Sequence, residues 1–352
     1  MRNWIKLLIF ASMLPWPGYA DEYGFDAGRD AFASENYATA VAIWREQAAA
    51  GDAEAQLAMG LVYRRGVGVP KTPAKAVKWL GLAADQELPR AQSVLGRMFE
   101  IGDGVPPDDK KALDLYRRAA EQGEADAQRL LAGMLLDGWG GAVDLRGAVN
   151  WFREAAALGD AIAQRRLGEM YQAGKGVEAD RHAAKVFYRR AAEQGEAVAQ
   201  WRLGNLYAAT QGMKSHLKLA THWWRKAARR GYSRAQFELA SAYHNGRGVP
   251  QDLARAAYYY EAAARQGLAV AQLYIAVMYG DGLGVPRNEV QAAAWFRKAA
   301  DQGHVAAQIN LARMYEQGWG VDQDLSRAQH WYAEAAAQGD DEAIRKLREL
   351  GG

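Results

Sequence analysis

The sequence predicts an all-α, right-handed solenoid of stacked helix–turn–helix units. Three observations predict it. The dipeptide Ala-Gln stands at residues 55, 91, 127, 163, 199, 235, 271 and 307, always 36 residues apart, and Ala343 continues the series without the glutamine. Within each period the apolar residues fall at helical spacing. The 352 residues include 71 alanines and 37 glycines but only 9 prolines, a mixture that favours helices broken by turns. A fixed period of this length marks supersecondary units that bury their apolar faces only by stacking.

Residues 1–20 have the pattern of an export signal. Arg2 and Lys6 form a basic start, an apolar run extends from Leu7 to Trp16, and Gly18-Tyr19-Ala20 ends on the small residues that a signal peptidase requires. The run is shorter than a membrane span. Cleavage after Ala20 and a periplasmic or secreted mature chain are expected. Removing Arg2 and Lys6 lowers the formal charge from +3 to +1, which disfavours nucleic acid as a partner. No later apolar run reaches about 20 residues, so no integral membrane segment is expected in the mature form.

Residues 21–54 read as a degenerate N-terminal capping unit, with Asn36 as helix cap followed by Ala40, Trp44, Ala48 and Gly51. Residues 55–342 are eight units of 36. Each opens on a helix, called A, whose Ala55-type residue is followed at four, five and eight places by Leu, Met or Ile, a small residue, and an aromatic or Leu: Ala163, Leu167, Gly168 and Tyr171, for example. These offsets share one helical face. A turn follows whose second glycine recurs from Gly68 to Gly320, suited to a backbone that passes through positive φ. Thr72, Asp108, Asp144, Asp180, Asp252, Asn288 and Asp324 then cap a second helix, B, with His216 as the exception. Helix B carries Ala76 and its equivalents, aromatic pairs such as Trp151-Phe152, and a closing Ala-Ala. A glycine ends it in seven units; Glu87 stands there in the first. Thr210 and Met213 in the fifth loop and Gly141 in the third depart from the pattern and imply locally rebuilt turns. Residues 343–352 complete a C-terminal capping half-repeat whose charge suits a polar end.

The composite pattern Ala-x-x-x-Leu-Gly-x-x-Tyr-x-x-Gly-x-Gly-Val, then Asp-x-x-x-Ala-x-x-Trp-Tyr-x-x-Ala-Ala-x-x-Gly, resembles the Sel1-like repeat, a relative of the tetratricopeptide repeat with a longer internal loop. The resemblance covers residues 55–342. It implies a right-handed α-solenoid and an adaptor or regulator of signalling or envelope processes.

Little in the sequence points to catalysis. There is no cysteine, which excludes disulfides and thiol chemistry. The six histidines lack the i, i+4 spacing of a helical zinc site, and Gly-x-Gly here joins two helices rather than cradling phosphate. No cofactor or metal is expected. Basic pairs late in helix B, such as Arg189-Arg190, complement the helix dipole. Residues that vary between units are more informative. Two places after the ladder alanine lies the row Leu57, Ser93, Arg129, Arg165, Trp201, Phe237, Leu273 and Ile309, expected on an exposed inner surface, with Arg97, Glu169, Asn205, Ser241, Val277 and Arg313 as a second row. Arg129, Arg165, Trp201, Phe237 and Leu273 are the expected partner-binding residues, because aromatic and arginine side chains carry most interface energy. The expected function is a non-catalytic scaffold holding a protein or peptide in a concave groove. The alternatives are a cell-wall-related enzyme, β-lactamase-like as the resemblance suggests for cysteine-rich relatives, and a peptidoglycan-binding protein.

Overall fold

The computed structural model describes residues 25–209 and 214–351, and divides the chain into two compact units, 1–158 and 159–352. All the regular structure of the described residues is helical. The export-signal segment and the fifth loop, with Thr210, Gly212 and Met213, lie outside the described residues.

The first unit holds α1 (Phe25–Ala33), α2 (Tyr37–Ala49), α3 (Ala53–Arg65), α4 (Pro73–Asp85), α5 (Pro89–Ile101), α6 (Asp109–Glu121), α7 (Ala125–Asp137) and α8 (Leu145–Ala157). The second holds α9 (Ala161–Ala173), α10 (Arg181–Glu193), α11 (Ala197–Ala208), α12 (Lys214–Arg229), α13 (Ser233–Asn245), α14 (Leu253–Arg265), α15 (Ala269–Asp281), α16 (Glu289–Ala300), α17 (Val305–Gln317), α18 (Leu325–Ala337) and α19 (Asp341–Glu349). Odd helices from α3 to α17 are A helices and even ones from α4 to α18 are B helices. Within each unit every helix packs on the next in sequence, most closely inside a repeat.

The recurrent alanines explain that closeness. Every ladder alanine from Ala55 to Ala343 and every helix-B alanine from Ala76 to Ala328 is fully buried. Four places after each helix-B alanine a large side chain fills the space between A and B: Tyr116, Phe152, Tyr188, Trp224, Tyr260, Phe296 and Tyr332, with Leu80 in the first repeat. A methyl group on Gly204 would stand 2.5 Å from the Trp224 ring, and one on Gly96 2.9 Å from Tyr116. The small residue is therefore shaped to its aromatic. The capping unit repeats the device, with Trp44 fully buried against Gly28.

The turns follow the expected chemistry. Helix A ends on a left-handed glycine such as Gly66 (φ 73°) or Gly282 (φ 70°). The second loop glycine is also left-handed and rests on the start of the preceding helix B: a Cβ on Gly104 would lie 2.5 Å from the carbonyl carbon of Pro73. The third loop keeps this shape despite Gly141, with φ 75° at Gly138 and 74° at Gly140. Asp108, Asp144, Asp180, Asp252, Asn288 and Asp324 accept from backbone amides of helix B.

Two local expectations change. The Thr72 side chain does not cap α4; its hydroxyl donates to the Pro70 carbonyl, 3.0 Å away, and Pro73 at the helix start removes a free amide instead. In the fifth repeat α12 begins at Lys214, so His216 sits in its first turn rather than before it. Glu87 takes the left-handed conformation (φ 60°) where the other repeats have glycine.

Candidate functional site

In each of the eight full repeats the residue after the ladder alanine is a glutamine, and all eight are buried. Within each unit its amide nitrogen donates to an alanine carbonyl eight residues back, at the end of the preceding B helix: Gln200 to Ala192 at 2.9 Å, Gln272 to Ala264 at 3.1 Å. Its carbonyl accepts from a second glutamine 30 residues on, at the end of its own repeat's helix B. These pairs are Gln86–Gln56, Gln122–Gln92, Gln194–Gln164, Gln266–Gln236, Gln302–Gln272 and Gln338–Gln308, at 2.7–3.1 Å. The two repeats without a second glutamine carry Leu158 and Arg230 there, and the buried Oε1 atoms of Gln128 and Gln200 have no hydrogen-bond partner. This amide ladder binds each repeat to its neighbour within a unit. It is architectural, and it accounts for the strongest marker in the sequence.

The row two places after the ladder alanine is open only in part. Leu57, Ser93 and Ile309 are buried, and the other members are half-buried. Within a unit helix A packs on its own helix B and on the preceding helix B, and its side chains also meet those of the next helix A, as Arg202 meets Glu169, so the buried arc extends further round than a single amphipathic face. In the second unit the positions three and six places after the alanine are also exposed or half-exposed: Arg166, Arg202, Tyr274 and Asn310, then Glu169, Asn205, Ser241 and Arg313. The sequence reading identified the second of these lines and missed the first.

In the first unit Arg129 is pinned along its own helix, donating to Asp126 at 2.8 Å. In the second unit the remaining four expected residues form two linked groups. Arg165 donates to Glu169 at 2.8 Å and lies 3.3 Å from Glu196. Glu169 also meets Arg166 at 3.3 Å and Arg202 at 2.9 Å, so one carboxylate serves three guanidiniums. Arg202 and Arg234 each stand 5.5 Å from the Trp201 ring centroid, within cation–π range. Trp201 packs edge-on against Tyr232 at 5.7 Å, and its buried Nε1 has no hydrogen-bond partner. Beyond it Phe237 contacts Tyr260 at 5.5 Å and Tyr274 at 5.7 Å, while Tyr260 and Tyr274 stack at 5.1 Å. Leu273 is half-buried against the same core. Burial pushes the Glu238 carboxyl and the Tyr188 phenol above their ordinary pKa ranges.

The face thus passes from arginines around an indole to an apolar aromatic cluster. Among the described residues no group of His, Asp or Glu could hold a metal ion, and no helix is long and apolar enough to cross a membrane.

This is a helical-repeat protein of the class that serves as protein–protein interaction scaffolds. The Sel1 repeat family matches it over residues 53–88, 89–124, 125–160, 161–196, 197–232, 233–268, 269–304 and 305–340. The chain belongs to the Sel1 repeat family, whose members are generally non-catalytic scaffolds. No curated protein matches it. Among solved structures it is similar to a protective antigen present in uropathogenic Escherichia coli strains and displaying an SLR fold, at 34% identity and a TM-score of 0.80, covering 87% of this chain and 66% of that one. It spans just under two thirds of that protein's length. It is also similar to a Sel1 repeat protein from Oxalobacter formigenes, at 29% identity and a TM-score of 0.69, covering 96% of this chain and 98% of that one.

Proposed function

We propose that the protein is an exported, non-catalytic adaptor that holds a segment of a partner protein along the helix-A face of residues 159–351. The observation that carries this reading is the surrounding of Trp201: a half-buried indole with an unsatisfied N–H and two guanidiniums over its ring. Stacking of repeats does not demand these groups, because the equivalent positions elsewhere hold Leu57, Ser93 and Leu273. Four arginines (165, 166, 202 and 234) face two carboxylates (Glu169 and Glu196), which favours acidic residues in the partner. Phe237, Leu273 and Tyr274 continue the face as an apolar patch. An acidic segment that turns apolar therefore fits in one direction. Arg129, in the other unit, is a second proposed contact. Export rests on the pattern of residues 1–20, and cleavage after Ala20 is tested by N-terminal sequencing of the processed chain.

The experiment is crosslinking in intact cells followed by mass spectrometry, repeated with Trp201→Ala and Arg202→Ala. Capture of a protein whose binding weakens by about 2 kcal/mol with Trp201→Ala is expected. Arg165→Ala and Arg129→Ala should mainly slow association and reduce its salt dependence. Unchanged capture by Trp201→Ala, with the fold intact, would overturn the reading.

A further inference from the structure

The second unit contains a cavity of about 370 Å³ between the seventh and eighth repeats, apart from the Trp201 face. That size falls within the range of about 300–1,000 Å³ typical of small-molecule sites. Its floor is apolar, with Phe296 and Met314 from the core. Its rim carries Asp281, Arg287, Glu289, Asn310, Arg313 and Trp319. Trp319, in the loop between α17 and α18, is 51% exposed, a large apolar surface for one side chain to leave in water.

We propose that this cavity binds a neutral sugar of gluco configuration, free or as part of a glycan. Three features lead there. Charge comes first: Arg287 is paired with Glu289 at 2.5 Å and Arg313 with Glu342, which leaves Asp281 as the one unpaired charge among the lining residues. Such a rim has no free guanidinium to hold an anion and a lone carboxylate to offer hydroxyl groups, and suits an uncharged ligand. Geometry comes second. Every polar group of the rim is planar, either carboxylate, amide or guanidinium, and planar groups meet two vicinal hydroxyls at once. Asp281 has no hydrogen-bond or ion-pair partner among the described residues, so its acceptors remain for a ligand. The indole is third. A pyranose with all its hydroxyls equatorial turns axial C–H bonds to both faces, and one such face covers an aromatic ring.

The fold does not require this set. The third repeat carries the same Gly-Trp-Gly loop, with Trp139 50% exposed, yet its equivalents of Asp281, Arg287, Asn310 and Arg313 are Ile101, Pro107, Leu130 and Gly133. Trp139 is thus a control for an exposed loop tryptophan without the polar rim.

The test titrates the full chain with cellotetraose, chitotetraose and maltotetraose, read by tryptophan fluorescence and saturation-transfer NMR. The three arms separate plain glucose from its N-acetyl form and one linkage from another. Saturable binding of at least one oligosaccharide is expected below ~10 mM, with Trp319→Ala and Asp281→Ala each weakening it about tenfold. Trp319→Tyr should retain it, and Trp139→Ala should leave it unchanged. The proposal falls if none of the three binds, if Trp319→Ala binds as well as the parent, or if Trp139→Ala weakens binding equally.

Discussion

Leu158→Gln and Arg230→Gln should each stabilise the protein, because each restores the missing donor of the amide ladder. In six repeats a glutamine at this position donates to the buried glutamine 30 residues earlier; in these two the acceptors of Gln128 and Gln200 are buried and unsatisfied. A net hydrogen bond contributes about 1 kcal/mol, and a buried unsatisfied acceptor costs about 1–3 kcal/mol. Leu158 is 60% exposed, so little apolar burial is lost. The Arg230 guanidinium lies over Gly195 and is exposed, so its removal also costs little. A gain of about 1 kcal/mol is expected at each site, adding to about 2 kcal/mol in the double variant, since the two pairs share no partner. In units of this size that corresponds to roughly 2–4 °C of melting temperature per kcal/mol. Repeat arrays need not unfold in one step, so native-state hydrogen exchange in α7 and α11 should accompany the melting curve. Gln266→Leu is the reverse control and should cost about 1–2 kcal/mol by orphaning Gln236. If the two gains and the control loss are all absent, the ladder is geometry without energy.

Gly248→Ala should destabilise more than Gly267→Ala in urea unfolding. Both positions are left-handed (φ 76° and 90°), but a methyl at Gly248 would also overlap the Leu217 carbonyl, whereas Gly267 has open space around it. About 1–2 kcal/mol of backbone strain is expected at each, with the surplus at Gly248 measuring the clash; equal losses would mean that the loop does not rest on the preceding helix. Ala184→Phe should cost roughly 1–3 kcal/mol by overpacking a fully buried contact between α9 and α10, and an unchanged calorimetric melt would contradict that packing.

The periodic residues made the fold legible. An alanine that must be small, a glycine that must be left-handed and an aspartate that must cap have the same cause in every repeat, so the cause appears as a period. The fifth repeat shows the limit: its loop lost two of the periodic residues, and the longer α12 that absorbs His216 could not be read from the rest. The inner row was only partly legible, for a different reason. At about 100° per residue, offsets of zero, four and eight leave offset two on the far side of the helix. That calculation assumes one packing partner; helix A has more than one, and Leu57, Ser93 and Ile309 are buried. The ladder was visible but unexplained, because its second glutamine lies 30 residues away and only the folded stack joins the two. The Trp319 cavity left no periodic trace, since what defines it is the departure of one repeat from the others.

The loop glycines and the amide ladder together act as a gauge at both ends of each helix pair. A 13-residue helix is about 20 Å long, so the two contacts bear on opposite edges of a repeat. At one edge main chain rests on main chain, as where Gly104 meets Pro73; at the other an amide bridges to a carbonyl of the preceding repeat. Within each unit both contacts recur at identical offsets, so the repeats described there present their neighbours with the same two fittings. Such a chain can lengthen or shorten by recombination in steps of 36 residues without a new junction having to be invented. A gain or loss of any other length would mate a side chain with a space made for none.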